Sequence, residues 1–252
     1  MQHYFVNRAV PNQRFTLPDD ISHHLVTVLR AQIGTRFELV FNDHQCYLAE
    51  LTSTAPTVSA TIIHALGRNP ELPVHTGIAC GIPKTKEKPE MIVQKGTEVG
   101  VQQIIFFDAE RSISHWQGNK RARKLARLQK IANSAAEQSH RNVQPQIYYC
   151  DSLKELLNSY PATHRLVAWE ESAKQGETSA LVKVLRQTTI GESLLAIFGP
   201  EGGLSSEEVA TMESQGVIPV GLGPRILRTE TAPLYFLSAV SVITELVSSD
   251  KK

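Results

Sequence analysis

The sequence predicts an α/β protein in two parts, a small β-rich domain followed by a larger domain of alternating strands and helices. In residues 1–72, short β-rich runs are separated by turn residues. A polar stretch with one glycine and two prolines, residues 67–73, reads as a linker. Beyond it, apolar strand-like runs alternate with helical ones, which indicates a mainly parallel sheet covered by helices on both faces. We therefore expect domains at residues 1–72 and 73–252.

The first domain is predicted to be a small barrel with one helix. The helix covers residues 19–30, in which Ile21, Leu25 and Val28 recur at helical spacing. Turn residues such as Asn42 and Asp43 separate the β-rich runs. The predicted strands are residues 35–41, 45–52 and 57–66.

The second domain alternates five predicted strands with five predicted helices. Ligands of such sheets bind at the carboxyl ends of the strands, so we expect the chemistry in the loops that follow them. The strands are residues 77–82, 104–107, 165–169, 194–198 and 217–221. The helices are residues 89–99, 119–139, 152–158, 179–186 and 205–214.

Composition excludes several classes of protein. Cys46, Cys80 and Cys150 form no CxxC pair and the nine histidines no HExxH motif, so we expect neither disulfides nor a metal site. The N-terminus lacks a signal pattern, and the most apolar stretch, residues 232–247, is too short and polar to span a membrane. We expect a cytoplasmic protein. A net charge of +1 leaves any attraction to RNA to local patches.

The strongest local pattern is a buried-type strand, residues 194–198, that leads into Gly199-Pro200-Glu201-Gly202-Gly203 and then into a helix. Ser205 and Glu208 have the spacing of a capping box at the start of that helix. Glycines let the backbone approach a ligand closely, but Glu201 and the lack of GxxxxGKS argue against phosphate. A cationic ligand would tolerate the carboxylate. The alternative is a tight turn that needs glycines for geometry alone.

A second glycine-rich turn, residues 220–232, follows the next strand. Gly221 and Gly223 permit close approach of the backbone, and Ile226 and Leu227 offer apolar walls for a purine ring. The alternative for Arg228, in the same turn, is pairing with Glu230 or a helix end. Two such turns after consecutive strands favour a nucleoside-type pocket.

The motifs GPEGGLS and LGPRILRTETA resemble those of the RsmE family of ribosomal RNA uracil-N3 methyltransferases, in the SPOUT superfamily. The segments His24–Arg30, Gln94–Val101, Glu110–Ser112 and Ala136–Arg141 follow in family order. The resemblance implies a PUA-like RNA-binding barrel, and a SPOUT domain with a trefoil knot that binds S-adenosyl-L-methionine in a homodimer. The substrate would be a uridine N3 in 16S ribosomal RNA of the small subunit. The alternatives are a ribose 2′-O-methyltransferase of the same superfamily and a non-catalytic RNA-binding protein.

By the same resemblance the cofactor pocket falls on the two turns, with the strand end at Trp169 as a further contributor; the catalytic roles follow from the chemistry of the reaction. Arg228 is the preferred cation for stabilising a deprotonated uracil, and Glu230 or Glu201 would accept the proton or orient the cofactor. The alternative for both acids is capping of a helix end. The cofactor-binding residues would be Phe198, Gly199, Pro200, Glu201, Gly202, Gly203, Leu222, Gly223, Ile226, Leu227, Arg228, Thr229, Thr231 and Ala232.

RNA contacts require positive charge. A run of six basic residues between Lys120 and Lys130 lies opposite the apolar stripe of its helix and is a candidate RNA contact; the alternative is a solvated face. Lys84 and Lys86, in a loop after a strand, are further phosphate candidates. The sequence departs from the resemblance at His3, where the family commonly has Arg, and at Thr27. The predicted RNA-binding residues are Arg30, Lys88, Arg111, Gln138 and Arg141.

Overall fold

The computed structural model describes residues 1–171 and 179–247. The chain forms two compact units. The first contains residues 1–71 together with 136–143, and the second contains residues 72–135 and the chain from Gln144 onward. The segment 136–143, which includes the end of a long helix, is a part of the first unit that local sequence patterns do not indicate.

The first unit is built on a five-stranded sheet in the order β1-β3-β4-β5-β2. β1 runs parallel to β3, and the other neighbours are antiparallel. The three predicted strands are present, whereas the two shortest, β1 and β2, carry too few residues to show a period. The strands are β1 (His3–Phe5), β2 (Phe15–Thr16), β3 (Arg36–Val40), β4 (Cys46–Ser53) and β5 (Ser59–Ala65).

The core of this unit is supplied mainly by its central strands. Ala49 and Leu51 of β4 are fully buried at alternate positions, as expected for a sheet with one face on a core, whereas β3 is buried throughout from Phe37 to Val40. The predicted helix is present as α1 (Asp19–Ser22), which continues as a π-helical turn, His23–Val28.

The second unit contains a six-stranded parallel sheet in the order β11-β9-β10-β6-β7-β8. This confirms the predicted α/β fold with a mainly parallel sheet. The strand Gln146–Cys150 was not predicted, because its residue types do not alternate, although the exposure of its first four residues does. The strands are β6 (His75–Gly81), β7 (Gln103–Phe107), β8 (Gln146–Cys150), β9 (His164–Ala168), β10 (Ser193–Phe198) and β11 (Ile218–Val220).

Both faces of this sheet are covered. In β10, Leu194, Ala196 and Phe198 pack into one apolar cluster, whereas Leu195 and Ile197 pack into another on the opposite face. Burial on both faces explains why the strands read as continuous apolar runs.

The five predicted helices of the second domain are present, with ends within two residues of the predicted ones. A sixth helix starts at Thr231 and continues as a π-helical turn, Val242–Leu246. Among the described helices, none combines the length and apolarity that crossing a bilayer requires. The trefoil knot stays a prediction. The helices are α2 (Glu87–Glu98), α3 (Gly118–Gln138), α4 (Leu153–Ser159), α5 (Ala180–Gln187), α6 (Ser206–Ser214) and α7 (Thr231–Ser241).

Candidate active site

The two glycine-rich turns lie beside each other because their strands share a neighbour. β9 pairs with β10 on one side and with β11 on the other, and Ala168 at the end of β9 is in register with both Phe198 and Val220. The carboxyl ends of all three strands therefore meet at one edge of the sheet. We call the turn at residues 199–204 the first bend and the turn at residues 221–230 the second bend.

The glycines of the first bend are required by close packing. A Cβ on Gly199 would lie 2.9 Å from the backbone carbon of Gly203, and one on Gly202 would lie 3.0 Å from Cβ of Arg111. These separations leave no room for a larger side chain without moving the backbone. The geometric explanation therefore holds for the glycines, and it also leaves the backbone of the bend uncovered towards a ligand.

The capping box predicted after the first bend is confirmed. The Ser205 hydroxyl accepts a hydrogen bond from the Glu208 backbone N–H at 3.1 Å, and the Glu208 carboxylate accepts one from the Ser205 N–H at 2.9 Å. Glu208 also accepts the backbone N–H of Glu110 at 2.9 Å. These bonds fix where α6 begins and hold the bend in place.

The second bend ends at the start of α7. The carbonyl of Arg228 accepts the backbone N–H groups of Thr231 and Ala232, at 2.8 and 3.0 Å. The Arg228 side chain is exposed, and in the described part of the chain it has no ion-pair partner. The suggested pairing of Arg228 with Glu230 is therefore absent, because Glu230 contacts a different cation.

That cation is Lys88, which joins the two bends. Its ammonium lies 2.7 Å from Glu201 Oε1 and 3.3 Å from Glu230 Oε2. The Lys84 backbone N–H also donates to the Glu201 carboxylate, at 3.0 Å. Burial favours the neutral acid, but the hydrogen bonds from Lys88 and Lys84 outweigh it and hold the pKa of Glu201 below its usual value. Lys88 was expected to bind RNA; in the structure its ammonium is committed to two carboxylates instead.

The bends line a cavity of about 790 Å³, and the second bend lines an adjoining cavity of about 230 Å³. Of the predicted cofactor-binding residues, Thr231 alone lines neither; it is the first residue of α7 and its side chain is exposed. The remaining predicted residues, Phe198–Gly203, Leu222, Gly223, Ile226–Thr229 and Ala232, all line one or both.

Several lining residues come from the end of β9. Trp169, which the resemblance placed in the pocket, lines both cavities, whereas Glu170 and Glu171 were not predicted. The rule that parallel sheets bind ligands at strand ends would have found both acids. With Glu201, they place three carboxylates around a cavity whose other walls include Trp169, Leu227 and Ala232. Such a cavity suits an apolar ring that carries positive charge nearby.

The predicted RNA-binding residues are dispersed. Arg111 lines the larger cavity, with Nη1 3.4 Å from the Gly202 carbonyl oxygen. Arg30 and Gln138 are exposed. Arg141 is only 2% exposed, and its guanidinium contacts the Glu71 carboxylate, which also accepts the Asn142 N–H at 2.9 Å. The prediction of an RNA contact at Arg141 is therefore corrected: the side chain anchors a turn of the first unit.

A group of possible metal ligands exists in the first unit, although no motif spacing indicated one. Ligand atoms of His3, Glu38 and His140 lie within 4.8 Å of one another. The guanidinium of Arg68 contacts the same Glu38 carboxylate, so a cation already neutralises it. Burial opposes ionisation of Glu38, but hydrogen bonds from His3, His140 and Arg68 lower its pKa to about 2. We call these four residues the buried polar cluster and interpret it as a hydrogen-bonded ion cluster.

Comparison with known proteins identifies the family. The family described as RNA methyltransferase domain matches residues 70–241, and the one described as RNA methyltransferase PUA domain matches residues 17–63. Ribosomal RNA small subunit methyltransferase E of Bacillus subtilis is 41% identical over 100% of both chains. A crystal structure of a hypothetical protein superposes with a TM-score of 0.88 at 38% identity, covering 98% of this chain and 100% of that one.

A second solved structure, ribosomal RNA small subunit methyltransferase E from Neisseria gonorrhoeae bound to S-adenosyl methionine, has a TM-score of 0.81 at 28% identity. The match covers 96% of this chain and 98% of that one. The 41% identity over the full length of both chains, the two matching families and the shared fold point to one conclusion. The chain belongs to the RNA methyltransferase family that includes ribosomal RNA small subunit methyltransferase E.

Proposed function

We propose that this protein transfers a methyl group from S-adenosyl-L-methionine to N3 of a uridine in 16S ribosomal RNA of the small subunit. The observation that carries the proposal is the single cavity formed by the two glycine-rich bends, with carboxylates and apolar walls around it. The relative from Neisseria gonorrhoeae, solved with S-adenosyl methionine, supports the choice of cofactor. The names of the curated relatives support small-subunit ribosomal RNA as the substrate.

The residues present fit this cofactor. A sulfonium and an ammonium are both cationic, and Glu170, Glu171 and Glu201 supply negative charge around the cavity. Trp169, Leu227 and Ala232 supply apolar surface for an adenine ring. Gly202 brings backbone to the cavity wall at a point where a Cβ would meet Arg111.

When bound, the cofactor supplies an electrophilic methyl group, and the protein must prepare the acceptor nitrogen. Uracil N3 carries a proton, so its attack requires loss of that proton and stabilisation of the anionic ring. Arg228 is the proposed cation, since its side chain lines the cavity and has no carboxylate partner in the described residues. A guanidinium offers a planar fork of donors to the carbonyl oxygens that flank N3.

Glu230 is the proposed proton acceptor, and Glu201 the residue that orients the cofactor. The division follows from their contacts. Glu201 receives hydrogen bonds from Lys88 and from the Lys84 backbone, which lower its pKa and make it a poor base. Glu230 shares Lys88 at the longer distance of 3.3 Å, and its Oε2 is buried without a hydrogen bond among the described residues.

The remaining parts of the proposal concern assembly. The first unit, with its PUA family match, would hold the RNA while the second carries out the transfer. A homodimer and a trefoil knot around the cofactor are proposed on the resemblance to the RsmE family. A cytoplasmic place of action follows from the proposed substrate.

The test is methyl transfer by the full chain to small-subunit ribosomal RNA, supplied both as a transcript and in small subunits, followed by mass analysis of the digested nucleosides. We expect a base-methylated uridine with the methyl group on N3. A product methylated on the ribose would transfer the proposal to the 2′-O-methyltransferase alternative. Absence of any product, with the cofactor bound, would support the non-catalytic RNA-binding alternative.

A further inference from the structure

A second cavity of the second unit, of about 120 Å³, lies between the β6–α2 loop and helix α3. We call it the lysine cavity, after Lys84 and Lys86 of the loop and Lys124 of the helix. The sequence contains two separate basic segments, one in a loop and one on a helix, and each is a candidate RNA contact. The fold brings them to one concave site.

The positive charge of the lysine cavity is incompletely balanced. Its other cation, Arg127, is paired with its one lining carboxylate, Glu90, with Nε 2.8 Å from Oε1. Lys84, Lys86 and Lys124 have no ion pair among the described residues. Glu87 follows Lys86 in the chain, accepts a hydrogen bond from Thr85 and attracts the Lys86 ammonium, but it forms no ion pair with it. Three unpaired ammonium groups around one cavity favour an anionic ligand.

The floor of the cavity is rigid and apolar. Trp116 is 3% exposed and packs between two aromatic rings. Its ring centroid lies 5.0 Å from that of Phe106, which is tilted against it, and 6.1 Å from that of Tyr149, which is stacked on it. Lys124 Nζ lies 4.9 Å from the centre of the Trp116 ring. Burial and the nearby Lys120 lower the pKa of Lys124, as expected for a cation without a carboxylate partner. The Lys124 ammonium is therefore held in a defined position rather than free in solvent.

The lysine cavity is connected to the proposed methyl-transfer cavity through one loop. Lys84, which lines the former, donates its backbone N–H to Glu201 of the first bend at 3.0 Å. Four residues later, Lys88 binds the same carboxylate. A chain that occupies both cavities would thus contact the same loop twice.

We propose that the lysine cavity binds a backbone phosphate of the RNA strand that carries the target uridine, within a few nucleotides of the methylated base. The inference rests on the proposed function, because it takes RNA as the polyanion. Phosphate contacts fix the register of a protein on a nucleic acid without reading its sequence. The lysine cavity would therefore position the strand, while the methyl-transfer cavity acts on the base.

The test compares two triple variants of the full chain. In the cavity variant Lys84, Lys86 and Lys124 are changed to Ala. In the control variant three exposed basic residues on other helices of the second unit, Lys154, Lys183 and Arg186, are changed to Ala, which removes the same charge. Binding of transcribed small-subunit ribosomal RNA is measured over a series of salt concentrations, with calorimetry of S-adenosyl-L-methionine and steady-state kinetics alongside.

For the cavity variant we expect the slope of the logarithm of RNA affinity against the logarithm of salt concentration to become shallower. The change should be roughly 0.7 for each lysine that contacts a single-stranded phosphate. KM for RNA should rise at nearly constant kcat, with unchanged cofactor affinity. Lys124→Arg in an otherwise wild-type cavity preserves the charge and should retain most of the affinity for RNA. Equal effects of the cavity and control variants, or an unchanged salt slope, would overturn the proposal. Failure of the proposed function would appear separately, as loss of cofactor binding or methyl transfer by the wild type.

Discussion

The second bend and the buried polar cluster both contain charged side chains, but they differ in how those charges are compensated. In the buried polar cluster, Glu38 contacts two histidines and Arg68, and its side chain is 6% exposed. At the cavity, Arg228 lies exposed with no ion-pair partner in the described residues. Charges that satisfy one another hold a fold together, whereas a charge left unpaired at a concave wall is available to a ligand. The comparison predicts that substitutions at the cavity reduce activity, and those in the cluster reduce stability.

The largest effect is expected from Gly202→Val. The added side chain must displace Arg111, whose Cβ would lie 3.0 Å from the new Cβ, and it fills the wall of the cavity. We expect loss of measurable S-adenosyl-L-methionine binding by calorimetry, with a folded protein by circular dichroism. The control is Gly34→Val, which strains a turn at φ +90° with nothing within 4 Å and should retain binding. Normal binding by Gly202→Val would remove the first bend from the site.

Arg228→Ala should lower kcat by roughly 10²–10³-fold, the usual cost of losing one stabilising donor at a developing anion. Cofactor affinity and the free energy of unfolding should change little, since no ion pair in the described residues is broken. Arg186→Ala on the exposed face of α5 is the matched control and should keep full activity. Near-normal turnover by Arg228→Ala would contradict the assigned role.

Glu38→Gln should lower the free energy of unfolding by about 2 kcal/mol, because it leaves buried donors of the polar cluster without their anion. We place the effect below that of a fully enclosed ion pair because the Arg68 side chain is 40% exposed and can reach solvent. Glu50→Gln, which breaks an exposed pair with Arg36 at 3.3 Å, should cost less than about 1 kcal/mol. Urea unfolding measures both. Equal losses would show that the buried polar cluster contributes no more than a surface pair.

The contribution of Glu38 should also depend on pH. Its pKa in the folded protein is about 2, below the usual 4.5, so the stabilisation is complete above pH 4.5 and is lost as the pH falls towards 2. The difference in unfolding free energy between wild type and Glu38→Gln should therefore shrink over this interval. A difference that stays constant would mean that Glu38 does not ionise within the cluster.

The smallest effect is expected from Ser205→Ala, which removes the N-cap of α6 and should cost about 1 kcal/mol of stability. Ser152→Ala removes the N-cap of α4, away from the cavity, and should cost about the same. Neither substitution should change cofactor affinity by more than a small factor. A large loss of affinity in Ser205→Ala alone would show that the capping box belongs to the binding machinery and not only to the fold.

How far the sequence predicts the site depends on whether its residues are contiguous. The first bend (residues 199–204) and the second bend (residues 221–230) each form within one short segment. Their glycines and caps can therefore be recognised in the sequence without knowledge of the fold. The strand order that brings the two bends together was not visible in the sequence, because the pairing of β9 with both β10 and β11 is a long-range property. Glu170 and Glu171, in contrast, directly follow the predicted strand 165–169, so the strand-end rule would have included them.

The errors concern side chains whose partners are distant in the chain. Lys88 and Arg141 look like free cations in the sequence, but Glu201 lies 113 positions from Lys88 and Glu71 lies 70 from Arg141. His3 and His140 lie 35 and 102 positions from Glu38. Residue type predicts that a charge exists; only the fold decides whether another side chain neutralises it. Strand β8, which was also not predicted, is a milder case, because the strand is only five residues long and about half of its residues are polar.

The most direct test of the central claim is a crystal structure of the full chain with S-adenosyl-L-methionine. We expect the cofactor between the first and second bends, with its adenine against Leu227 and Ala232 and its charged groups towards the carboxylates of the larger cavity. A cofactor bound at any other place, or a folded protein that binds none at saturating concentration, would contradict the account.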